Sequence, residues 1–181
     1  MPVEVSVVGR CDDEIVAAFA RLLPQLSHSA TPLTPAAVER LVTWPSNTQL
    51  IARVDGRIVG ALTLVVFPIP TGLRARIEDV VVDESARGHG VGAALTREAV
   101  RLAREQDART VDLTSRPSRA TANRLYQRLG FEVRDSQVFR LADGARQHGE
   151  DGARRHGYDG ARQHGEDGAR RHGYDGARRH G

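Results

Sequence analysis

Apolar and polar residues alternate at the start of the chain. Val3, Val5 and Val7 are separated by Glu4 and Ser6, a period of two that predicts a strand. The period then lengthens. Ile15, Phe19, Leu22 and Leu23 fall on one face of a helix that Asp12 or Asp13 can cap, and Pro24 allows little of it beyond Leu26. Thr34 followed by Pro35 is a cap with proline at the first helical position, so a second helix is predicted through Leu41 and closed by Trp44-Pro45-Ser46-Asn47. Residues 50–54 and 58–67 are β-rich and flank Asp55-Gly56, a two-residue hairpin signal. Pro68, Pro70 and Gly72 predict a loop, and residues 75–82 a further strand. A long helix is expected over 91–107, with Leu95, Ala99, Leu102 and Ala103 inward. Residues 110–113 read as a strand, and 119–129 as a helix stopped by Gly130. Residues 131–134 and 138–141 read as two last strands. The order β-α-α-β-β-β-α-β-α-β-β predicts an α/β (α+β) fold, a mixed central sheet with helices on both faces. Residues 75–113 form its parallel crossover unit.

Composition divides the chain. From Asp143 an eight-residue unit, Asp-Gly-Ala-Arg-(Gln/Arg)-His-Gly-(Glu/Tyr), recurs with copies beginning at Asp143, Asp151, Asp159, Asp167 and Asp175. It holds no aliphatic residue larger than Ala, so neither a core nor a stacked solenoid is expected of it. Residues 1–142 are read as one domain, large enough to bury a core, and 143–181 as a disordered low-complexity tail.

The formal net charge is +3, and all 26 basic residues are Arg. The tail carries 8 Arg against 7 acidic residues, the rest of the chain 18 against 16. Neither part is strongly basic, so charge makes no case for nucleic acid. The single cysteine, Cys11, excludes an intramolecular disulfide and fits a reducing compartment. The N-terminus does not read as a signal peptide, and the longest apolar run, residues 58–70, is too short to span a membrane. A cytoplasmic location is expected.

The most informative stretch runs from Ile77 to Leu95. A strand leads into Arg87-Gly88-His89-Gly90-Val91-Gly92 and then into the N-terminus of a helix. Unpaired backbone N–H groups at the positive end of a helix dipole form an anion site, and a pyrophosphate suits it. Without Gly-Lys-Ser/Thr or Gly-x-Gly-x-x-Gly, the stretch is neither a Walker A loop nor a dinucleotide fingerprint. A glycine-rich turn that only reverses the chain is the alternative.

Arg87-Gly88-His89-Gly90-Val91-Gly92 resembles the Arg/Gln-x-x-Gly-x-Gly/Ala signature of the GNAT superfamily of acyl-CoA-dependent N-acyltransferases. Asn123-Arg124-Leu125-Tyr126-Gln127-Arg128-Leu129-Gly130-Phe131-Glu132 resembles the family's Asn-x-x-x-Tyr…Gly-Phe segment, in the right order and context. The resemblance spans about residues 50–141. It implies an enzyme that moves an acetyl group from acetyl-CoA, its cosubstrate, to a primary amine of a small molecule or peptide by direct attack. It implies that the coenzyme lies where strands 75–82 and 110–113 splay apart. Backbone groups of Val80, Val81 and Val82 would pair with the pantetheine arm. N–H groups from Arg87 through Gly88, His89, Gly90, Val91 and Gly92 to Ala93 would hold the pyrophosphate. Asn123 would hydrogen-bond the coenzyme arm, and Tyr126 would protonate the leaving thiolate, although a phenol capping the core is also consistent. The family's frequent dimerisation implies a homodimer, with no interface legible.

An amine of ordinary pKa, about 10, must lose a proton before it attacks. Glu78 is the candidate base or cation partner, Asp79 the second. As neighbours on one strand they face opposite sides unless a bulge intervenes, and either can instead pair with a surface arginine. Arg116 or Arg119 could touch the adenosine phosphate, where a helix cap at Ser118 is the alternative. Residues 26–35 and the loop 68–74 are expected to shape the acceptor site, with Pro68-Ile69-Pro70 as a stiff lip. His89 reads as solvated, and His28, within Ser-His-Ser, has no nucleophile pattern nearby. In the tail, His148, His156, His164, His172 and His180 recur at a spacing of eight, which fits no compact ligand pattern, so no metal is expected. A non-catalytic acyl-CoA-binding module whose tail engages a partner is the competing function.

Overall fold

The computed structural model describes residues 2–27 and 30–141. Its elements run β1 (Glu4–Val7), α1 (Asp13–Leu26), α2 (Pro35–Thr43), β2 (Asn47–Val54), β3 (Arg57–Ile69), β4 (Gly72–Val82), a 3-10 turn (Glu84–Ala86), α3 (Val91–Glu105), β5 (Thr110–Leu113) and α4 (Ala120–Arg128). The five strands lie in chain order in one sheet, antiparallel throughout except that β4 and β5 are parallel.

Local chemistry sets most boundaries. Asp12 caps α1 by accepting from the Ile15 N–H at 3.0 Å, and Thr34 caps α2 by accepting from the Ala37 N–H at 3.2 Å. Asp55 and Gly56 both take positive φ, 48° and 79°, as a type I′ hairpin turn requires. The expected loop over 68–74 is corrected to a two-residue turn, because β3 continues through Pro68 and pairs Ile69 with Gly72. Val66 N–H points away from β4, to the Ser46 carbonyl. The nitrogen of Pro68, two residues on, points the same way, past the end of β2, where no ladder bond is lost.

Strand periodicity sends alternate residues to two cores. Leu50, Leu62, Leu64, Ala75 and Ile77 pack under Leu95, Ala99 and Ala103 of α3. Ile51, Ala61 and Val81 pack under Phe19 and Leu22 of α1 and Val38 of α2. Helices thus cover both faces, as the hydrophobic pattern predicts. Gly60 lets α3 approach: a Cβ there would meet Val91 Cγ1 at 2.9 Å and the Val81 carbonyl oxygen at 3.2 Å.

The chain divides into two compact units at Asp135, and every element above lies in the first. The two last strands predicted from alternation do not form within 131–141. Arg134 reaches Asp112 of β5 at 3.7 Å, a side-chain pair without a backbone ladder. Val133 is 88% exposed, so the alternation buries no face there, and a strand without a buried face gains little. Of the second unit, only residues 136–141 are described; they are irregular, with Val138, Phe139 and Leu141 exposed. The repeats from Asp143 onward and His28 lie outside the described residues. Among the described residues no helix is long and apolar enough to cross a membrane.

Candidate active site

Strand β4 pairs with β5 only from Arg74 to Ile77, opposite Thr110 to Leu113. Beyond that point β5 ends, and among the described residues β4 continues to Val82 with only β3 at its side. Its outer edge over 78–82 therefore offers backbone groups to a ligand, as an unpaired strand edge does. The register identifies a bulge in the same place. Thr63 faces Glu78 but Ala61 faces Val81, so β4 holds one residue more than β3. Asp79 sits in the bulge at φ 52°, a left-handed conformation that aspartate tolerates better than most residues.

The bulge decides where the candidate bases stand. Ile77 belongs to the core under α3, so Glu78 faces the α1–α2 side. Val81 belongs to the core on that same side, while Val80 and Val82 pack toward α3. Glu78 accepts from Arg76 Nε at 2.8 Å, and Arg76 Nη2 donates to the Thr114 hydroxyl at 2.9 Å. Glu78 thus stands at the start of the unpaired β4 edge as the partner of a half-exposed arginine. The Asp79 carboxyl is pushed above the usual aspartate range by partial burial and by the neighbouring Glu78 charge.

At the end of β4 the chain enters the glycine-rich turn. Gly88 and Gly90 have φ of 84° and 80°, with open space where a Cβ would stand. Gly90 is the N-cap of α3 and supplies no side-chain cap. Ala94 N–H donates to the Gly90 carbonyl at 3.0 Å, leaving Val91, Gly92 and Ala93 as first-turn donors unpaired among the described residues. These donors at the positive end of a helix of 15 residues fit a diphosphate. Gly92 serves packing as well: a Cβ there would lie 3.3 Å from Leu125 of α4 and 3.7 Å from Val82. Arg87 pairs with Glu84 at 3.3 Å and so braces the turn, and His89 Nδ1 lies 3.0 Å from the Arg87 carbonyl, exposed.

Sequence reasoning passed over Asp83, which anchors this turn from beneath. Its carboxylate accepts from the Ser85 hydroxyl at 2.7 Å, from Ser85 N–H at 3.1 Å and from Arg21 Nε of α1 at 3.3 Å. Those bonds, led by the Ser85 hydroxyl, hold its pKa below the ordinary range. Gln25 of α1 accepts from Glu84 N–H at 2.9 Å. The only signal in the sequence is Asp83-Glu84-Ser85, an Asp followed two residues later by a hydroxyl.

Helix α4 ends in a Schellman motif. Phe131 N–H donates to the Tyr126 carbonyl at 3.0 Å, Gly130 N–H donates to the Gln127 carbonyl at 3.0 Å, and Gly130 takes φ 89°. The Tyr…Gly-Phe spacing is thus a helix stop that fixes Tyr126. Leu125 on Gly92 brings Tyr126 to the same end of β4 as the first turn of α3. The Tyr126 hydroxyl makes no hydrogen bond among the described residues, and burial pushes its pKa up, partly offset by Arg119. It keeps its proton at neutral pH. Asn123 donates to the carbonyls of Arg116 (3.1 Å) and Pro117 (3.5 Å), which ties the β5–α4 loop to α4 and leaves its side-chain oxygen without a partner among the described residues. A groove of about 660 Å³ between α3 and α4, lined by Arg97, Val100 and Arg128 among others, holds none of the predicted site residues.

Comparison with known proteins identifies the family and the fold. The sequence model of the Acetyltransferase (GNAT) family matches residues 8–131. The glucosamine 6-phosphate N-acetyltransferase of Trypanosoma brucei brucei is 30% identical over 135 residues, covering 70% of this chain and 89% of that protein. The L-amino acid N-acetyltransferase AaaT of Escherichia coli is 34% identical over 98 residues, covering 52% of this chain and 59% of that protein. The crystal structure of a Trypanosoma brucei acetyltransferase superposes with a TM-score of 0.65 at 28% identity, over 78% of this chain and 99% of that one.

Proposed function

The chain belongs to the GNAT family of acetyltransferases, and from that premise we propose that it acetylates a primary amine of a small molecule or peptide in the cleft beside β4. Acetyl-CoA, when bound, supplies an acetyl group activated as a thioester. Backbone groups of Val80, Val81 and Val82 orient it. The N–H groups from Gly88 through Ala93 hold its diphosphate, and Arg87 braces their turn. Asn123 fixes the loop beside the cleft and keeps its carbonyl oxygen for the coenzyme arm.

An ammonium cannot attack. Glu78, with Asp79 as the second candidate, takes the amine's proton directly or through water. The freed lone pair forms the new C–N bond as the C–S bond breaks, and the acylated nitrogen then sheds its second proton through water, which restores the proton that Tyr126 gives up. Tyr126, still protonated at neutral pH, gives its proton to the leaving sulfur.

The observation that carries this reading is the open β4 edge over 78–82, which leads into unpaired donors at the start of α3. Residues 1–142 suffice for this activity, which is exerted in the cytoplasm. The test is thermal unfolding of the full chain with acetyl-CoA, followed by thiol release with a panel of primary amines. A ligand of the native state raises the melting temperature. A rise with thiol release is expected, and a chain ending at Ala142 should keep both. A rise without release on any amine would reduce the protein to an acyl-CoA-binding module. No rise at millimolar acetyl-CoA would remove the site.

A further inference from the structure

On the α1–α2 face of the sheet, one row of side chains is polar across three strands. Gln49 of β2 stands opposite Thr63 of β3, and Thr63 opposite Glu78 of β4. The next row on that face, Ile51, Ala61 and Val81, is apolar and buried. An apolar residue at 49 would simply extend that core. Gln49 is instead 2% exposed and polar. The Thr63 hydroxyl donates to its Oε1 at 2.9 Å, which ties the carboxamide to the residue that stands opposite Glu78. Its Nε2 is buried and donates to nothing among the described residues. A glutamine kept for structure alone would satisfy both ends of the amide, since buried donors are almost always paired. Two strand spacings put Gln49 and Glu78 on the order of 10 Å apart at their Cα atoms, with Thr63 midway between them.

We propose that Gln49 is a specificity residue whose Nε2 donates to a carbonyl oxygen carried beside the acceptor's amine. This rests on the reading of Glu78 as the amine's partner. The substrate class is then an α-amino carbonyl compound, such as an α-amino amide or a peptide N-terminus. An alkylamine of the same shape leaves the donor unpaired in the complex, and a site built around a hydrogen bond discriminates against such an analogue. Thr63 acts on the substrate only through Gln49, as the clamp that turns the amide.

The test compares leucinamide with 3-methylbutylamine, which shares its alkyl chain and primary amine but lacks the carboxamide. The readout is the ratio of their kcat/KM values, so the differing basicity of the two amines cancels between variants. Gln49→Leu should lower the leucinamide preference about tenfold, and Thr63→Val should lower it by less. The thermal shift with acetyl-CoA verifies that each variant folds; if Gln49→Leu does not, Gln49→Met keeps the volume and takes its place. An unchanged ratio in the Gln49 and Thr63 variants overturns the proposal. So does a wild-type protein that acetylates other amines but not leucinamide, an outcome that leaves the acetyltransferase reading standing. Absence of thiol release with every amine defeats both.

Discussion

The ring of Tyr126 meets that of Phe131 edge to face, with centroids 6.0 Å apart and planes at 66°. The Schellman bonds at the end of α4 set this contact, since they place the residues before and after Gly130 against each other. Packing therefore holds the ring, while nothing among the described residues holds the hydroxyl. Structure and chemistry at this position can be separated by removing one oxygen atom.

Tyr126→Phe is expected to keep the melting temperature and the acetyl-CoA affinity of the parent, and to lower kcat by roughly 100-fold or more, the usual share of a general acid. Burial raises the phenol's pKa, so the alkaline fall of kcat should lie above the ordinary tyrosine range and vanish in the variant. An unaltered kcat would take Tyr126 out of the chemistry.

Gly60→Ala should destabilise the fold by about 1–3 kcal/mol, the usual cost of overpacking. The new methyl would meet Val91 Cγ1 at 2.9 Å, Leu95 Cδ1 at 3.1 Å and the Val81 carbonyl oxygen at 3.2 Å. The helix it displaces begins at the diphosphate donors, so acetyl-CoA affinity should fall as well. Gly92→Ala meets only a leucine methyl at 3.3 Å and should cost less. Chemical denaturation ranks the two, and the reverse order would contradict the packing described.

What the sequence made legible here is what its neighbours in the chain decide. The caps at Asp12 and Thr34, the turn at Asp55-Gly56 and the helix stop at Gly130 each need only a few adjacent residues. The glycine turn before α3 is of the same kind. The bulge at Asp79 was not legible, because it is a mismatch between two strands and β4 alone does not contain it. Gly60 is silent for the same reason: its role is the distance to a helix 30 residues away. The two last strands failed in the opposite direction. Phe131 and Val133, like Phe139 and Leu141, have strand-like spacing, but alternation becomes a strand only where an edge and a buried face receive it.

Glu78→Gln should lower kcat/KM about 100-fold, as loss of a general base does, whereas Asp79→Asn should lower it less than about tenfold. Asparagine tolerates the left-handed backbone at 79, so Asp79→Asn isolates the charge, and Asp79→Ala adds about 1 kcal/mol of strain. The Asp79 pKa is raised, so if Asp79 were the base the acid limb of kcat/KM would lie above the usual aspartate range and disappear in Asp79→Asn. An acid limb that is unchanged in Asp79→Asn is the expected result.

Asp83 gives the fold an acid-sensitive anchor. Its native pKa is lowered, first by the Ser85 hydroxyl and also by Arg21 and Arg57. A group with a depressed native pKa contributes stability that is fully present above its unfolded value, near 4, and is lost as pH falls through the native value. Asp83→Asn should therefore be less stable than the parent at pH 7, by roughly 1–3 kcal/mol for a buried charged acceptor that loses its charge. The gap should close as pH drops below about 4, because protonation does to the parent what the substitution did to the variant. Urea unfolding from pH 7 to pH 3 measures this. A gap that stays constant would mean that the Asp83 charge contributes nothing and that its bonds to Ser85 act as neutral ones. Because Arg21 joins α1 to the turn through this carboxylate, the variant should also bind acetyl-CoA more weakly at neutral pH, and that weakening should fade over the same acid range as the stability gap.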